Sequence, residues 1–299
     1  MKILIAGHSS YTGLELIKFL RNKNLDDLFG ADLKLSYQIN EQVVDFTKFD
    51  EIYNLIKTQK PDLVFFLIGA NNCNIIQDYF NINNFTLINL LESIIQNKLF
   101  DTKVLSVSSS AVYGVREKPI ANEIDLPNPI NWYGVSKLAM EYSAFMYYYL
   151  HKIKINIVRT FNIFGKNQPL NFFIPDIINK LNNFNINNLN PVLETGNLSL
   201  KRDFINIMDV LEAYWVIINA DNFGQIYNVG SSKSRSLREV ADLLIEKLNL
   251  KIQIIEKKDK FPGIFIPDLI SDNSKINKLG WLPKLIFEDS LDTILEKTT

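Results

Sequence analysis

Short apolar runs alternate with segments of helical periodicity through the first half of the chain. Five of these runs predict strands: residues 2–6 (KILIA), 27–32 (DLFGAD), 62–68 (DLVFFLI), 103–109 (KVLSVSS) and 154–160 (KINIVRT). Helical patterns lie between them, at 13–22, 47–59 and 85–98. Strands and helices that alternate in this order predict βαβ units and an α/β fold built on a Rossmann-type, doubly wound parallel sheet.

The second half of the chain has a more mixed pattern. Helices are predicted near 173–182, 207–220, 236–248 and 286–296, and a strand over 225–230 (QIYNVG). We expect this late strand to return to the main sheet. The expected division is a main domain over 1–160 plus a returning segment at about 206–230, and a smaller mixed α/β region over 161–205 and 231–299.

The composition limits the possible partners. The 299 residues are 47% hydrophobic, which is enough for a large core, and the net charge of −1 points to neither nucleic acid nor a membrane surface. The longest apolar run, LVFFLIGA, is too short to span a bilayer. One cysteine and two histidines give no internal disulfide and no metal site of the zinc type. We expect a soluble, cytoplasmic protein.

The first turn, GHSSYTG, has the form of a dinucleotide-binding loop with serine in place of the middle glycine. Gly7 allows a tight turn and Gly13 allows close packing of helix on strand. Ser10 is small enough for the middle position if its φ stays negative, and its hydroxyl can donate to phosphate. We expect the backbone amides of Tyr11 and Thr12 to bind a pyrophosphate at the helix N-terminus. The alternative is an ordinary loop between strand and helix.

Asp32 ends the second predicted strand, 19 residues after Gly13. This is close to the spacing of the acid that binds the adenosine ribose in Rossmann folds. A carboxylate there favours NAD, because the 2′-phosphate of NADP would meet a negative charge. Lys34 could serve that phosphate instead, so the cofactor is predicted as NAD or NADP, with NAD favoured.

The segment NWYGVSKLAMEY predicts proton-transfer chemistry. Tyr133 and Lys137 are four residues apart in a helical pattern and share one face. A nearby ammonium is expected to lower the pKa of the phenol and prepare it for proton transfer. Ser109, at the end of a strand, supplies a hydroxyl at the sheet edge where α/β sites form. The same helix is expected to bury a further set at helical spacing: Tyr142, Phe145, Met146 and Tyr149.

The turn, Asp32, SSSAVYG, YGVSK and RTFNIFG occur in the order found in the extended short-chain dehydrogenase/reductases that act on nucleotide sugars, and the chain resembles that family over its whole length. The resemblance implies that Ser109, Tyr133 and Lys137 are catalytic. It implies a dinucleotide-binding first domain and a nucleotide-sugar-binding smaller region. It also implies further cofactor contacts from Asp45, Phe46, Leu67, Ile68, Gly69, Asn83 and Phe161.

The segment GNLSLKRDF resembles the branch of GDP-mannose 4,6-dehydratases and GDP-6-deoxy-D-mannose reductases. The resemblance implies that Asn162, Asn197 and Arg202 bind the substrate. The dehydratases need an acid two residues after the catalytic serine, where this chain has Ala111. A 4-reductase of a 4-keto-6-deoxy sugar linked to a nucleoside diphosphate is therefore expected, with GDP favoured.

Three residues depart from that family's pattern, and two rival functions stay open. A common arginine is replaced by Phe261, so a phosphate contact is absent or displaced to Lys260 or Arg235. Trp132 and Phe66 also replace common family residues. The rivals are a nucleotide-sugar 4-epimerase with tightly bound NAD and a non-catalytic dinucleotide sensor. The family pairs through two long helices, here near 83–98 and 132–150, so a homodimer is expected.

Overall fold

The computed structural model describes residues 1–183, 191–257 and 265–296. The strands up to residue 160 are β1 (Ile3–Ala6), β2 (Leu28–Asp32), β3 (Asn40–Val43), β4 (Leu63–Phe66), β5 (Lys103–Ser109), β6 (Ile120–Ala121) and β7 (Lys154–Thr160). The helices are α1 (Tyr11–Asn22), α2 (Phe49–Gln59), α3 (Ile76–Phe80), α4 (Thr86–Gln96) and α5 (Trp132–His151), with a π-helical segment at Asn81–Phe85 and a 3₁₀ turn at Ser110–Tyr113. All five predicted strands and all three predicted helices of this half are present.

The rest of the chain also follows the predicted order. Its strands are β8 (Asn162–Phe164), β9 (Val192–Thr195), β10 (Lys201–Asn206), β11 (Gln225–Val229), β12 (Ser234–Ser236), β13 (Gln253–Glu256) and β14 (Ile270–Ser271). Its helices are α6 (Phe173–Asn182), α7 (Ile207–Asn219), α8 (Leu237–Lys247), α9 (Ser274–Asn277) and α10 (Phe287–Leu295).

The main sheet has seven strands in the order β11-β7-β5-β4-β1-β2-β3, and every neighbouring pair is parallel. The sheet is therefore the predicted Rossmann-type doubly wound sheet. The late strand β11 pairs with β7 at one edge, as expected. The other edge strand, β3, was not predicted, because its sequence NEQV has no apolar run and most of it is exposed.

Helices cover both faces of this sheet. On one face, Leu16 and Leu20 of α1 and Tyr214 of α7 belong to one buried cluster with Ile3 and Ile5 of β1. On the other face, α2, α4 and α5 contribute a second buried cluster, which includes Leu55, Leu90, Met140 and Ala144. The near-continuous apolar strands of the centre are buried because helices lie on both sides of them.

The smaller elements gather beyond the carboxyl end of β7. Only Phe161 separates β7 from β8, and β8 pairs with β10, which pairs in turn with β12. Phe164, Phe204 and Phe287 are in a separate buried cluster there. These smaller elements therefore begin directly at the sheet edge where sites form in α/β folds.

One expectation about α5 was wrong. Tyr142, Met146 and Tyr149 were predicted to be in the core, but they are 58%, 53% and 61% exposed. Met140 and Ala144 make up the buried stripe instead. Helical spacing of apolar residues identifies a stripe but does not say what covers it, and among the residues that the structure describes Tyr142 stays exposed.

Candidate functional site

The first turn has the geometry that a dinucleotide needs. Gly7 has a φ of +87°, which favours glycine, and a Cβ on Gly13 would lie 2.6 Å from the carbonyl oxygens of Gly7 and His8. Ser10 has a φ of −71°, as its substitution for glycine required. Its hydroxyl donates to Gly7 O at 2.7 Å and accepts from Gly13 N at 3.1 Å.

Ser10 is thus the N-cap of α1, and it satisfies one of the N–H groups that a helix start leaves free. Its proton goes to Gly7, which differs from the donation to phosphate expected from the sequence. Ser10, Tyr11 and Thr12 together line the main cavity. The positive end of α1 therefore faces this cavity, and the turn fits the diphosphate of a dinucleotide.

The remaining cofactor-side predictions have mixed surroundings. Asp32 accepts from Ser9 N at 3.2 Å and from Ser9 Oγ at 2.6 Å, so the acid is tied to the glycine turn. Asp45 accepts from the backbone and hydroxyl of Thr47. Phe46 is 3% exposed, so its side chain belongs to the core between α2 and α4.

Asn83 lies behind the cavity rather than on its wall. Its amide pairs with both backbone groups of Ala70, and its Nδ2 also donates to Ser136 Oγ at 2.8 Å. Asn83 therefore holds the loop after β4 against α5. Ile68 belongs to the same loop, and its carbonyl accepts from Lys137 Nζ at 3.5 Å.

A cavity of about 570 Å³ brings most of the predicted residues together. Its lining includes Ser10, Tyr11, Thr12, Leu67, Gly69, Ser109, Tyr133, Lys137, Phe161, Asn162 and Arg202. Its lining does not include Gly7, Gly13, Asp32, Asp45, Phe46, Ile68, Asn83 and Asn197. Gln168, Thr160 and Asn171 also line it and were missed, because isolated polar residues give no distinctive pattern in the sequence.

Ser109, Tyr133 and Lys137 converge at the carboxyl end of β5. Ser109 Oγ accepts from Ala111 N at 3.2 Å, so the serine keeps its own proton to donate. Lys137 Nζ donates to Val107 O at 2.9 Å. A Cβ on Gly69 would lie 2.8 Å from that nitrogen, so the glycine leaves room for the lysine.

The pKa values of Tyr133 and Lys137 shift in opposite directions. Burial raises the pKa of Tyr133, and the hydrogen bond from Ser109 only partly opposes this. Burial lowers the pKa of Lys137 to about 8, although the charge of Glu141 acts in the other direction. The expected lowering of the tyrosine pKa is therefore absent here, because desolvation of the phenolate outweighs the favourable contacts.

A buried ion pair below the site was not predicted. Arg159 of β7 donates to Glu141 of α5, with Nη2 to Oε2 at 2.7 Å and Nε to Oε1 at 3.0 Å. Both side chains are at most 3% exposed. Ser108 Oγ also donates to Glu141 Oε1 at 2.5 Å. The only sequence signals were one arginine in an apolar strand and one acid four residues after Lys137.

The substrate-side predictions separate into two groups. Asn162 and Arg202 face the cavity, and Arg202 Nη1 donates to Ile266 O at 2.9 Å. Asn197 accepts from the backbone and hydroxyl of Ser199, which shapes its own loop. Phe261 and Lys260 lie outside the described residues. Arg235 forms an ion pair with Glu288 at 2.7 Å.

The described part of the chain offers no metal cluster and no membrane-spanning helix. No group of three or more histidine, cysteine or acidic side chains is placed to hold a metal ion in residues 1–183, 191–257 and 265–296. Over the same ranges, no helix combines the length and apolarity needed to cross a bilayer.

The fold and the site define a Rossmann-type, NAD(P)-dependent enzyme of the short-chain dehydrogenase/reductase type. The sequence signature of the NAD dependent epimerase/dehydratase family matches residues 3–230, which is most of the chain, and the protein belongs to that family. The cofactor of the family is NAD or NADP, which fits the glycine turn and the helix N-terminus described above.

Curated relatives are similar over most of the chain. GDP-6-deoxy-D-talose 4-dehydrogenase of Aggregatibacter actinomycetemcomitans is 29% identical over 94% of this chain and 92% of its own length. GDP-6-deoxy-D-mannose reductase of Pseudomonas aeruginosa is 28% identical over 72% of this chain and 71% of its own.

Solved structures share the fold. RMD from Pseudomonas aeruginosa, complexed with NADPH, has a TM-score of 0.84 at 24% identity and covers 99% of this chain and 98% of its own. UDP-glucose 4-epimerase of Thermus thermophilus, in complex with NAD, has a TM-score of 0.85 at 21% identity, with 99% and 100% covered.

Proposed function

We propose that the protein is an NAD(P)H-dependent 4-reductase that acts on a nucleoside-diphosphate 4-keto-6-deoxy sugar, with GDP as the nucleotide. The observation that carries the proposal is the shared cavity, whose lining includes Ser109, Tyr133 and Lys137 together with Arg202. A cavity with this lining offers proton donors for a ketone and a cation for phosphate.

Each of the three catalytic groups has a distinct part in the reduction. Bound NAD(P)H supplies a hydride for the C4 carbonyl carbon. Ser109 donates a hydrogen bond to the C4 oxygen, since its own acceptor site already takes the Ala111 N–H. Tyr133 donates its proton to the same oxygen, and a raised pKa keeps that proton in place until the oxygen becomes basic.

Lys137 supports the proton transfer rather than performing it. Its ammonium stands four residues from Tyr133 on α5, and Val107 O holds it in place. A positive charge there stabilises the phenolate that is left when the tyrosine gives up its proton. The turn residues Gly7, Ser10, Tyr11, Thr12 and Gly13 would hold the dinucleotide diphosphate, and Asp32 the adenosine ribose.

The choice of reaction and nucleotide has independent support. Ala111 stands where a 4,6-dehydratase of the resembled branch carries an acid, so elimination of water lacks its acid. Two relatives named above are a 4-dehydrogenase and a reductase of GDP-6-deoxy sugars. Chemistry at C4 of a GDP-linked sugar therefore agrees with both the residue set and the relatives.

The direct test supplies the purified protein with NADH or NADPH and a panel of GDP-, UDP- and dTDP-linked 4-keto-6-deoxy sugars. We expect oxidation of the reduced cofactor with the GDP sugar and loss of this activity in Tyr133→Phe. Tyr142→Phe, an exposed tyrosine on the same helix, is the matched control and should keep full activity. Interconversion of two sugars without added cofactor would instead indicate the 4-epimerase.

We also propose a cytoplasmic homodimer. Phe85, Tyr142, Met146 and Tyr149 are each at least half exposed. Ser143 Oγ donates to Asn84 Oδ1 at 2.9 Å, which places Phe85 beside the α5 stripe. A contiguous apolar stripe on the outside of a protein is typical of a surface that another molecule covers.

A further inference from the structure

Two arginines lie directly opposite each other beside the cavity. Arg202 of β10 and Arg235 of β12 are partners in an antiparallel pair. Side chains that lie opposite each other in such a pair project from the same face of the sheet. Arg202 lines the cavity, and so does Leu237, two residues beyond Arg235. Arg235 therefore projects from the face of this small sheet that borders the cavity.

Like charges at opposed positions are unfavourable unless something compensates for them. The charge of Arg202 is compensated by hydrogen bonds that it donates to the carbonyl oxygens of Lys201 and Ile266. The charge of Arg235 is compensated by an ion pair with Glu288 at 2.7 Å and by the ring of Phe287, whose centroid is 4.6 Å from the guanidinium. Both arginines are thus held apart by groups of the protein itself.

The position of Phe287 places the Arg235 guanidinium close behind the cavity wall. The Phe287 ring centroid is 4.8 Å from that of Phe164 and 5.9 Å from that of Phe204. Phe164 and Phe204 both line the cavity. One layer of aromatic rings therefore lies between the Arg235 guanidinium and the cavity. The backbone of Arg235 lies directly opposite that of Arg202.

The cavity lining also carries too little positive charge to match a diphosphate. Among the described lining residues, the cationic side chains are Lys137 and Arg202, and Lys137 belongs to the proposed catalytic set. A nucleoside-diphosphate sugar brings a negative charge on each of its two phosphates. A single arginine can pair with one phosphate in a bidentate manner but leaves the other uncompensated.

We propose that Arg235 is the second diphosphate-binding residue for the nucleotide sugar, and that Glu288 is the internal anion that holds Arg235 when no diphosphate is bound. The inference rests on the proposed function. The exchange is feasible because the Arg235 and Glu288 side chains are 31% and 40% exposed, and ion pairs in such solvated positions contribute little to stability.

The test measures the Kd of GDP, UDP and dTDP by calorimetry, which needs no turnover. We expect Arg235→Gln to weaken the tightest of these nucleotides by about ten- to a hundredfold, since a charged hydrogen-bonding partner is lost. Glu288→Gln should tighten binding by a few fold, because the competing carboxylate is gone. Arg235→Lys should fall between wild type and Arg235→Gln.

The matched control is Arg238→Gln, which breaks an exposed arginine–aspartate pair with Asp242 on α8. It should leave the nucleotide Kd unchanged, and none of these variants should change the Kd of NADH. Opposite shifts from the two members of one ion pair are the signature of competition. If the ion pair had only a structural role, both variants would have a lower Tm and an unchanged Kd for the nucleotide. That result would overturn the inference.

Failure of the inference is separable from failure of the proposed function. If the wild-type protein binds a nucleoside diphosphate and Arg235→Gln binds it equally well, only the role of Arg235 is wrong. If the wild-type protein binds none of the three nucleotides, the nucleotide-sugar assignment fails, and the role of Arg235 fails with it.

Discussion

Lys137 Nζ donates to the carbonyl oxygen of Val107 at 2.9 Å. This bond joins the second turn of helix α5 to the carboxyl-terminal half of strand β5, so the helix that carries Tyr133 and the strand that carries Ser109 are fixed to each other. The same contact takes the ammonium out of water, and burial lowers its pKa to about 8. One lysine therefore links the geometry of the site to its charge.

The first prediction concerns activity and pH. If the ammonium form of Lys137 stabilises the phenolate of Tyr133, kcat should fall as the pH rises through about 8, where the lysine loses its proton. The measurement is a pH profile of kcat with saturating cofactor and substrate. A profile that stays flat up to pH 10 would contradict this role for the lysine.

The second prediction concerns stability and pH. The folded protein releases the Lys137 proton near pH 8, whereas an unfolded chain releases it near 10.5. Between these values the unfolded state binds more protons, so this group makes folding more favourable as the pH rises. Lys137→Met should therefore be most advantageous to stability, relative to wild type, below pH 8. Urea unfolding of both proteins from pH 7 to 10 should show that the stability advantage of Lys137→Met over wild type becomes smaller as the pH rises.

The third prediction separates capping from cofactor binding at Ser10. Ser10→Ala should cost about 1 kcal/mol of stability, because the cap bond to Gly13 N is lost, and Ser10→Gly only a few tenths. Both should also alter the Kd of NADH, since the turn shapes the phosphate site. Ser236→Ala removes the cap of α8 and is the control, with a similar loss in urea unfolding and an unchanged Kd. Equal Kd values in all variants would refute a role for this turn in cofactor binding.

The fourth prediction concerns the buried pair of Glu141 and Arg159. Glu141→Leu should destabilise the protein by about 3–5 kcal/mol, because it leaves a buried guanidinium without its partner. The double variant with Arg159→Met should recover most of that loss, since both charges are then gone. A double-mutant cycle in urea measures the coupling. If the losses from the two single variants simply add in the double variant, the two side chains contribute independently and the predicted coupling is wrong.

The fifth prediction concerns assembly. Met146→Glu places a charge in the exposed stripe of α5 and should convert the dimer to a monomer, because a buried unpaired carboxylate is costly. Leu126→Glu, at a residue that is 85% exposed on a different segment, is the control and should remain dimeric. Sedimentation or light scattering reports the mass. A wild-type protein that is monomeric would refute the proposal.

Much of the fold could be predicted because its signals are local. The strand over 62–68 has no polar residue after its first position, which is the pattern expected of a strand covered on both faces. The glycine turn and the pair Tyr133 and Lys137 are likewise visible, since each depends on short spacings. The edge strand β3 was missed because its polar residues are held by backbone pairing with β2 rather than by burial.

What could not be predicted depends on contacts between distant segments. The pairing of Glu141 with Arg159 is decided by where β7 lies beside α5. The opposition of Arg202 and Arg235 depends on the register of two short strands. The exposure of Tyr142 depends on which segments pack against α5, and α5 itself does not determine that. None of these follows from the order of residues along one segment.

The single residue Phe161 between β7 and β8 has a mechanical consequence. Its backbone N–H donates to Val229 O at 2.9 Å, so even this junction is fastened to the neighbouring strand β11. The seven-stranded sheet and the small sheet of β8, β10 and β12 are thus joined through one residue that is itself hydrogen-bonded to the larger sheet. One inserted residue here would turn over the side chains of β8 and move Asn162 off the cavity, although no residue of the site had changed.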